Sequence, residues 1–204
     1  MNRTMTWVAA VVFTALGLSS AEAFNNSGAA IFMPTGTTTS QPIGHYEFCQ
    51  RLPGECAQRT SRSLLVELTT DLWVELTAVN DVVNNRIRPM SDLDVFGQPE
   101  VWSYASDLGD CEDYVLVKRR ELAARGWPLS ALLVTVVRQE NGDGHAVLTV
   151  VTDRGDFVLD NLEGRVRLWS DTSYLFVKRQ SEHDTGAWIS VGDDRSILVG
   201  TVNR

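Results

Sequence analysis

Apolar residues recur with helical spacing in the first half of the chain. From residue 63 to residue 85 they return every three or four positions, which describes one face of an amphipathic helix; they are Leu65, Leu68, Leu72, Leu76, Val79 and Val83. A second helix is predicted over residues 111–125, because good helix formers follow a capping residue, Asp110, and Gly126 provides a stop. Cys111 therefore lies in the first turn of the second helix.

The second half of the chain has the pattern of β-strands. Runs rich in β-branched residues cover 131–138, 145–152 and 156–162, and turn-forming sequences such as ENGDG separate them. Further short strands are predicted at 165–169, 174–179 and 196–202, whereas residues 86–108 look like a loop. Helices followed by a meander of strands indicate an α+β fold, with N-terminal helices packed on an antiparallel β-sheet.

The N-terminus has the features of an export signal. Arg3 precedes a short apolar run, and Ala21-Glu22-Ala23 fits the small-x-small pattern of a cleavage site. We expect residues 1–23 to be a signal peptide that is cleaved near Ala23; a retained N-terminal anchor is the alternative. Residues 24–44 are rich in Gly, Ser, Thr and Pro and are predicted to form an extended arm, and residues 45–204 a single domain.

The composition narrows the possible partners. The formal net charge is −8 at pH 7, so we expect no binding to nucleic acid and no attraction to an anionic membrane surface. No second long apolar run follows the export signal, so we expect no stable membrane insertion. The carboxylates remain suitable ligands for a hard cation such as calcium.

Two of the three cysteines are suited to a disulfide. Cys49 and Cys56 flank a Pro-Gly turn in FCQRLPGEC, and an exported protein meets an oxidising compartment. Cys111 is then left over, either as a reactive thiol or as a buried inert one. The three acids around it in GDCEDY disfavour a thiolate, so a reactive Cys111 would need a compensating cation.

A histidine and an aspartate follow Cys111 in an order that suits thiol catalysis. A nucleophilic thiol needs a base and the base needs a group that orients its ring; His145 and Asp160 could supply both. If Asp153-Arg154 forms the turn between the strands that carry them, Asp160 lies diagonal to His145 at about 7–8 Å. If the turn comes one residue later, the two are about 13 Å apart. The triad therefore requires the first register or a bulge.

Together, the segments FCQRLPGEC, GDCEDYVLVKR and GHAVLTVVTDRGDFVLDN resemble the bacterial transglutaminase-like cysteine peptidases, a family that includes the periplasmic LapG proteases. The resemblance covers roughly residues 45–190. It implies a papain-like triad on a transglutaminase core, with Cys111 as nucleophile, His145 as base and Asp160 as orienting acid. One departure concerns Trp102, which is followed by SYAS, whereas family members often have a proline shortly after this tryptophan.

The resemblance also implies a cofactor, a substrate and a regulator. LapG proteases bind calcium beside the catalytic cysteine through the flanking acids, here Asp110 and Glu112. They cleave large surface adhesins and are restrained by an inner-membrane receptor that senses cyclic di-GMP. We therefore expect a calcium-dependent periplasmic cysteine protease that acts on an exported or cell-surface protein such as an adhesin. A divalent cation would also neutralise two of the acids around the thiol.

Two alternatives to this function remain open on the sequence. An acyl-enzyme on Cys111 would also serve a transglutaminase or amidase if an amine replaced water, and a non-catalytic calcium-binding module could use the same fold.

The residue that completes an oxyanion hole is not evident, with Asn84 and Trp102 as the two possibilities. His45 and His183 lie in polar stretches and are predicted to be surface residues.

Overall fold

The computed structural model describes residues 30–192 of the 204-residue chain. The predicted signal peptide, the beginning of the predicted arm and the strand predicted at 196–202 lie outside these residues. Within the part of the chain that is described, no helix is both long enough and apolar enough to cross a membrane.

The strands form one large antiparallel sheet and one small parallel pair. They are β1 (Thr35–Thr39), β2 (Arg88–Pro89), β3 (Leu108–Gly109), β4 (Leu132–Arg138), β5 (Gly144–Thr152), β6 (Gly155–Leu159), β7 (Arg167–Leu168), β8 (Leu175–Gln180) and β9 (Trp188–Val191). The large sheet has the spatial order β1-β9-β8-β4-β5-β6-β7, and β2 pairs with β3 apart from it. The antiparallel sheet predicted from the runs rich in β-branched residues is confirmed, and its central strands β4 and β5 are buried along most of their length.

The sheet begins inside the segment predicted to be an extended arm. Thr35–Thr39 pairs antiparallel with β9, with Thr38 opposite Ile189 and Thr39 opposite Trp188. The segment is extended, as its composition suggested, but it forms the outer edge of the sheet. Neither β1 nor β9 was predicted, because β1 lies in a segment rich in Gly, Ser, Thr and Pro and β9 has only four residues.

The helices lie before β4 in the chain, as predicted. They are α1 (Ile43–Arg51), α2 (Pro53–Cys56), α3 (Thr70–Arg86), α4 (Asp92–Phe96) and α5 (Cys111–Ala124). Helix α5 packs on β4 and β5 and against α3, and the side chains of its middle are buried. The structure contains the expected disulfide between Cys49 and Cys56, which joins α1 to α2 with a Cα–Cα distance of 5.6 Å.

Helix α3 is shorter than the apolar spacing predicted. Residues 63–69 are not helical, because this stretch is held along the turn between β5 and β6. Val66 forms a parallel bridge with Thr152, and the Leu68 amide donates to Asp153 Oδ1 at 2.8 Å. The helix then begins after Thr69, whose hydroxyl accepts from the Leu72 amide, a common N-capping bond.

The segment 86–108 contains more regular structure than the predicted loop. Its ends form the β2–β3 pair, and α4 lies between them, capped by the Ser91 hydroxyl. These short elements were not predicted, because the proline, glycine and aspartate residues of this segment are typical of loops. The β2–β3 pair brings the start of α4 close to the start of α5.

The prediction for His45 was wrong, because this residue is buried in the core with 1% exposure. Its ring lies 5.4 Å from that of Trp102 and 5.3 Å from that of Trp188, whose indole Nε1 donates to His45 Nδ1. Burial lowers the pKa of His45 to about 4, so the imidazole is a neutral core residue. His183 is exposed, as predicted.

Candidate active site

Cys111 is the first residue of α5 and is partly buried. The chain reaches it directly from β3, through Asp110 at the N-cap position of the helix. The Asp110 side chain makes no capping hydrogen bond, so the capping role predicted for it is not observed. The Cys111 thiol donates to Glu112 Oε2 over 3.1 Å.

His145 and Asp160 are brought together by the register of β5 and β6. Thr152 pairs with Gly155 and Leu148 with Leu159, so Asp153-Arg154 is the turn and Asp160 lies diagonal to His145. Of the two registers considered, the structure has the one that a triad requires. His145 Nε2 lies 2.8 Å from Asp160 Oδ1, and both side chains are 3% exposed.

Cys111 and His145 line the same cleft. It is a cavity of about 310 Å³ whose walls also include Glu100, Trp102 and Lys178. In the structure the thiol donates to Glu112, while the imidazole is held by Asp160. Two of the three residues predicted to form a triad, Cys111 and His145, therefore line one cavity. The third, Asp160, does not line it and contacts it only through its hydrogen bond to His145.

The acids around Cys111 have the electrostatic effect that the sequence suggested. Burial first, and then the charge of Glu112, raise the pKa of the Cys111 thiol. Burial and the neighbouring Asp110 raise the pKa of Glu112 itself to about 9. The surroundings of the thiol thus disfavour any additional negative charge, including that of a thiolate.

Three aspartates form a cluster beside this thiol. Ligand atoms of Asp92, Asp110 and Asp113 all lie within 4.8 Å of one another. Each has a buried oxygen without a hydrogen-bond partner: Asp92 Oδ1, Asp110 Oδ1 and Asp113 Oδ2. Burial is also the largest cause of the raised pKa of Asp113, about 7.

The cluster agrees only in part with the ligands predicted for calcium. Asp110 belongs to it together with Asp92 and Asp113, whereas the predicted ligand Glu112 is not one of the three. Glu112 Oε2 accepts from the thiol. Asp113 resembled a helix-capping residue in the sequence, and Asp92 is eighteen residues away from Asp110, so only the fold reveals that they meet.

Tyr174 is a site residue that sequence reasoning missed. Its hydroxyl donates to Asp160 Oδ2 at 2.5 Å, and its ring lies 5.5 Å from the His145 ring. No motif marks it, since it precedes a short strand after a polar turn. Its contact with Asp160 depends on the fold, because Tyr174 directly precedes β8 and is placed by that strand's position in the sheet.

The two residues considered for an oxyanion hole have other hydrogen-bond partners. Asn84 Nδ2 donates to the carbonyl oxygen of Asp160 at 2.7 Å. Trp102 Nε1 donates to Glu100 Oε1 at 2.8 Å, although the indole lines the cleft. Neither side-chain donor is directed at the thiol in the structure.

Comparison with known proteins places this architecture in a family. The profile of the bacterial transglutaminase-like cysteine proteinases matches residues 35–196, which include β1, all the helices and every residue of the site. The chain belongs to this family. The match begins at the first residue of β1, so the family's domain includes the edge strand that the sequence assigned to an arm. No curated protein matches the chain in sequence.

Solved structures of LapG from Legionella pneumophila are similar to this chain. One is 24% identical, covers 62% of this chain and 72% of its own, and has a TM-score of 0.50. The EGTA-treated form is 23% identical over 62% of this chain and 74% of its own, with a TM-score of 0.48. The calcium-bound form is 23% identical over 53% of this chain, with a TM-score of 0.47; this chain spans 64% of its length. At 24% identity, the first of these structures shows a shared fold, which is the transglutaminase-like fold of the family.

Proposed function

We propose that the protein is a cysteine endopeptidase that uses Cys111, His145 and Asp160. The proposal rests on the 2.8 Å hydrogen bond between His145 Nε2 and Asp160 Oδ1, beside a cleft that Cys111 also lines. Because Asp160 engages Nε2, the other ring nitrogen, Nδ1, is the one that would take the thiol proton. Membership of a cysteine proteinase family supports the same roles.

The proposed reaction has two halves. In the first, His145 Nδ1 removes the Cys111 proton as the sulfur attacks a peptide carbonyl, and the imidazolium then gives that proton to the leaving amine. In the second, His145 takes a proton from water as the water oxygen attacks the thioester, the carbon–sulfur bond breaks, and the imidazolium returns that proton to the departing sulfur, which restores the thiol. Asp160 remains ionised and stabilises the imidazolium in both halves. Backbone N–H groups of the first turn of α5 would stabilise the oxyanion.

We further propose that Asp92, Asp110 and Asp113 hold a calcium ion. The fit rests on their three buried oxygens, which have no hydrogen-bond partner among the described residues and lie on converging side chains. Hard carboxylate oxygens are the ligands calcium prefers. A bound calcium ion would supply positive charge that offsets the acids near the thiol. Asp113 also accepts from the Ser103 amide at 2.7 Å, which fixes one of its oxygens while the other faces the cluster.

The cellular role is proposed from the resemblance and the export signal. We infer that residues 1–23 direct the chain to the periplasm and are removed near Ala23. The substrate would be an exported or cell-surface protein such as an adhesin, and an inner-membrane receptor would control access to it.

A comparison of variants tests the proposed function. The surface proteome of a deletion strain would be compared with strains complemented by the wild type, Cys111→Ser or Asp160→Asn. The wild type should restore cleavage and Cys111→Ser should not. Asp160→Asn should retain a small residual rate, because nucleophile and base remain while the imidazole is wrongly oriented. Equal cleavage by the Cys111→Ser strain would refute the proposal.

The products separate hydrolysis from the alternatives. Purified enzyme and the substrate found in the proteome would be incubated with and without an added primary amine, and the new termini examined by mass spectrometry. We expect free carboxyl termini in both samples. A product joined to the amine in place of a free carboxylate would indicate an acyl transferase. Calcium binding without any cleaved product would indicate a non-catalytic module.

A further inference from the structure

The carboxylate of Asp160 is held from several directions. Its Oδ1 accepts from His145 Nε2 at 2.8 Å and from the Leu162 amide at 3.0 Å, while Oδ2 accepts from the Tyr174 hydroxyl at 2.5 Å. The carbonyl oxygen of the same residue accepts from Asn84. A carboxylate that is 3% exposed requires such donors, because it has left the water that would otherwise solvate it.

Tyr174 differs from the other donors because it contacts both members of the pair. Its hydroxyl reaches Asp160, and its ring stands 5.5 Å from the His145 ring at an angle of 56°. The residue lies between the short 3-10 turn Trp169–Asp171 and β8, which is separated from β5 by β4 in the sheet. It therefore links the strand pair β5–β6 to a different part of the fold.

We propose that Tyr174 is a positioning residue for the triad, which fixes the orientation of the Asp160 carboxylate so that Oδ1 stays on His145 Nε2. The proposal rests on the proposed function of that triad. With Oδ2 bound to the hydroxyl and Oδ1 to two N–H groups, rotation of the carboxylate would break hydrogen bonds at both oxygens. His145 is thereby held in the tautomer with its proton on Nε2, which leaves Nδ1 to accept the proton of Cys111.

The charge of Asp160 depends on the same contacts. Although burial opposes ionisation, the hydrogen bonds from His145, Leu162 and Tyr174 favour the anion and keep the pKa of Asp160 below its ordinary value. Lys118, buried on α5, is a further charged group that interacts with this carboxylate. Loss of the tyrosine hydroxyl would remove one of the hydrogen bonds that lower the pKa of Asp160. The Asp160 anion that orients the imidazole would then be lost at a higher pH.

The test uses Tyr174→Phe, which keeps the ring and removes the hydroxyl. Tyr104→Phe is the matched control, because the Tyr104 hydroxyl also interacts with a carboxylate, that of Glu55, outside the triad. For Tyr174→Phe we expect kcat to fall about tenfold, as for one lost hydrogen bond to a charged group, with KM unchanged. The acidic limb of the kcat/KM profile should move to higher pH. The control should match the wild type in kcat, in KM and in the pH of the acidic limb.

A second readout does not depend on protease activity. The proton on His145 Nε2 should give a downfield proton NMR signal that shifts or broadens in Tyr174→Phe and not in Tyr104→Phe. An unchanged signal together with unchanged kcat would overturn the role of Tyr174. A changed signal in a protein without any protease activity would support the positioning role and would instead count against the proposed function.

Discussion

The aspartate cluster leads to a prediction in which calcium reverses the order of stability of two proteins. Asp113→Asn removes one negative charge and keeps the side chain's shape. The three carboxylates lie within 4.8 Å of one another. At that distance an ionised pair repels by about 3 kcal/mol at an effective dielectric constant of ~20. Asp113 contributes to two of the three pairs, so replacing it removes most of the repulsion.

The expected change in the free energy of unfolding is smaller than the full repulsion between the carboxylates. Part of the repulsion is relieved by proton uptake at neutral pH, so in calcium-free buffer we expect Asp113→Asn to be more stable than the wild type by about 2 kcal/mol or more. For a domain of this length, 1 kcal/mol corresponds to roughly 2–4 °C in Tm. Calcium at a hundred times its Kd should stabilise the wild type by about 2.7 kcal/mol. The variant has lost a ligand and should gain much less.

The assay is thermal unfolding in EGTA and in excess calcium, with magnesium at equal ionic strength as the salt control. Asp94→Asn is the matched variant, because Asp94 is an exposed acid on the same short helix as Asp92 and lies outside the cluster. The wild type should melt below Asp113→Asn in EGTA and above it in calcium, while Asp94→Asn follows the wild type. A wild type that is at least as stable as Asp113→Asn in EGTA and does not respond to calcium would refute the reasoning.

Two further predictions concern the stability of the protein. Burial lowers the pKa of Lys118 from 10.5 to about 7. Between these pH values the unfolded chain therefore binds a proton that the folded protein lacks, which destabilises the fold. Lys118→Met should raise the free energy of unfolding at pH 7 by up to about 4 kcal/mol. Urea unfolding should show this gain vanishing near pH 10.5, and an equal gain at both pH values would contradict it. Replacing both Cys49 and Cys56 by Ala should cost about 2–3 kcal/mol, and a thiol reagent should label only Cys111 in the oxidised wild type; labelling of all three cysteines would show that the disulfide is absent.

The sequence predicted the parts of the fold that depend on local pattern. Helix α5 was expected at 111–125 and ends one residue earlier, because good helix formers and a glycine stop act within a few residues. The β5–β6 hairpin was also predicted, and its register was narrowed to two possibilities. The pairing of the two strands in the structure selects the register with Asp153-Arg154 as the turn. The sequence of the turn alone does not distinguish the two registers.

The errors arose where distant segments decide the structure. Residues 63–69 have helical apolar spacing but are held against the β5–β6 turn. His45 lies in a polar stretch, yet its ring packs between Trp102 and Trp188, from two other parts of the chain. The same applies to the site. The order of Cys111, His145 and Asp160 suggested the triad, but the meeting of Asp92 with Asp110, or of Tyr174 with Asp160, appears only after folding.

In the proposed reaction, Cys111 forms a covalent acyl-enzyme with the help of His145. The most direct measurement is rapid mixing of the enzyme with its protein substrate, quenching in acid and peptide mapping by mass spectrometry. We expect a substrate fragment in thioester linkage to Cys111 in the wild type and no such adduct in His145→Ala. Turnover at the wild-type rate by Cys111→Ala, or an adduct on any other residue, would contradict it.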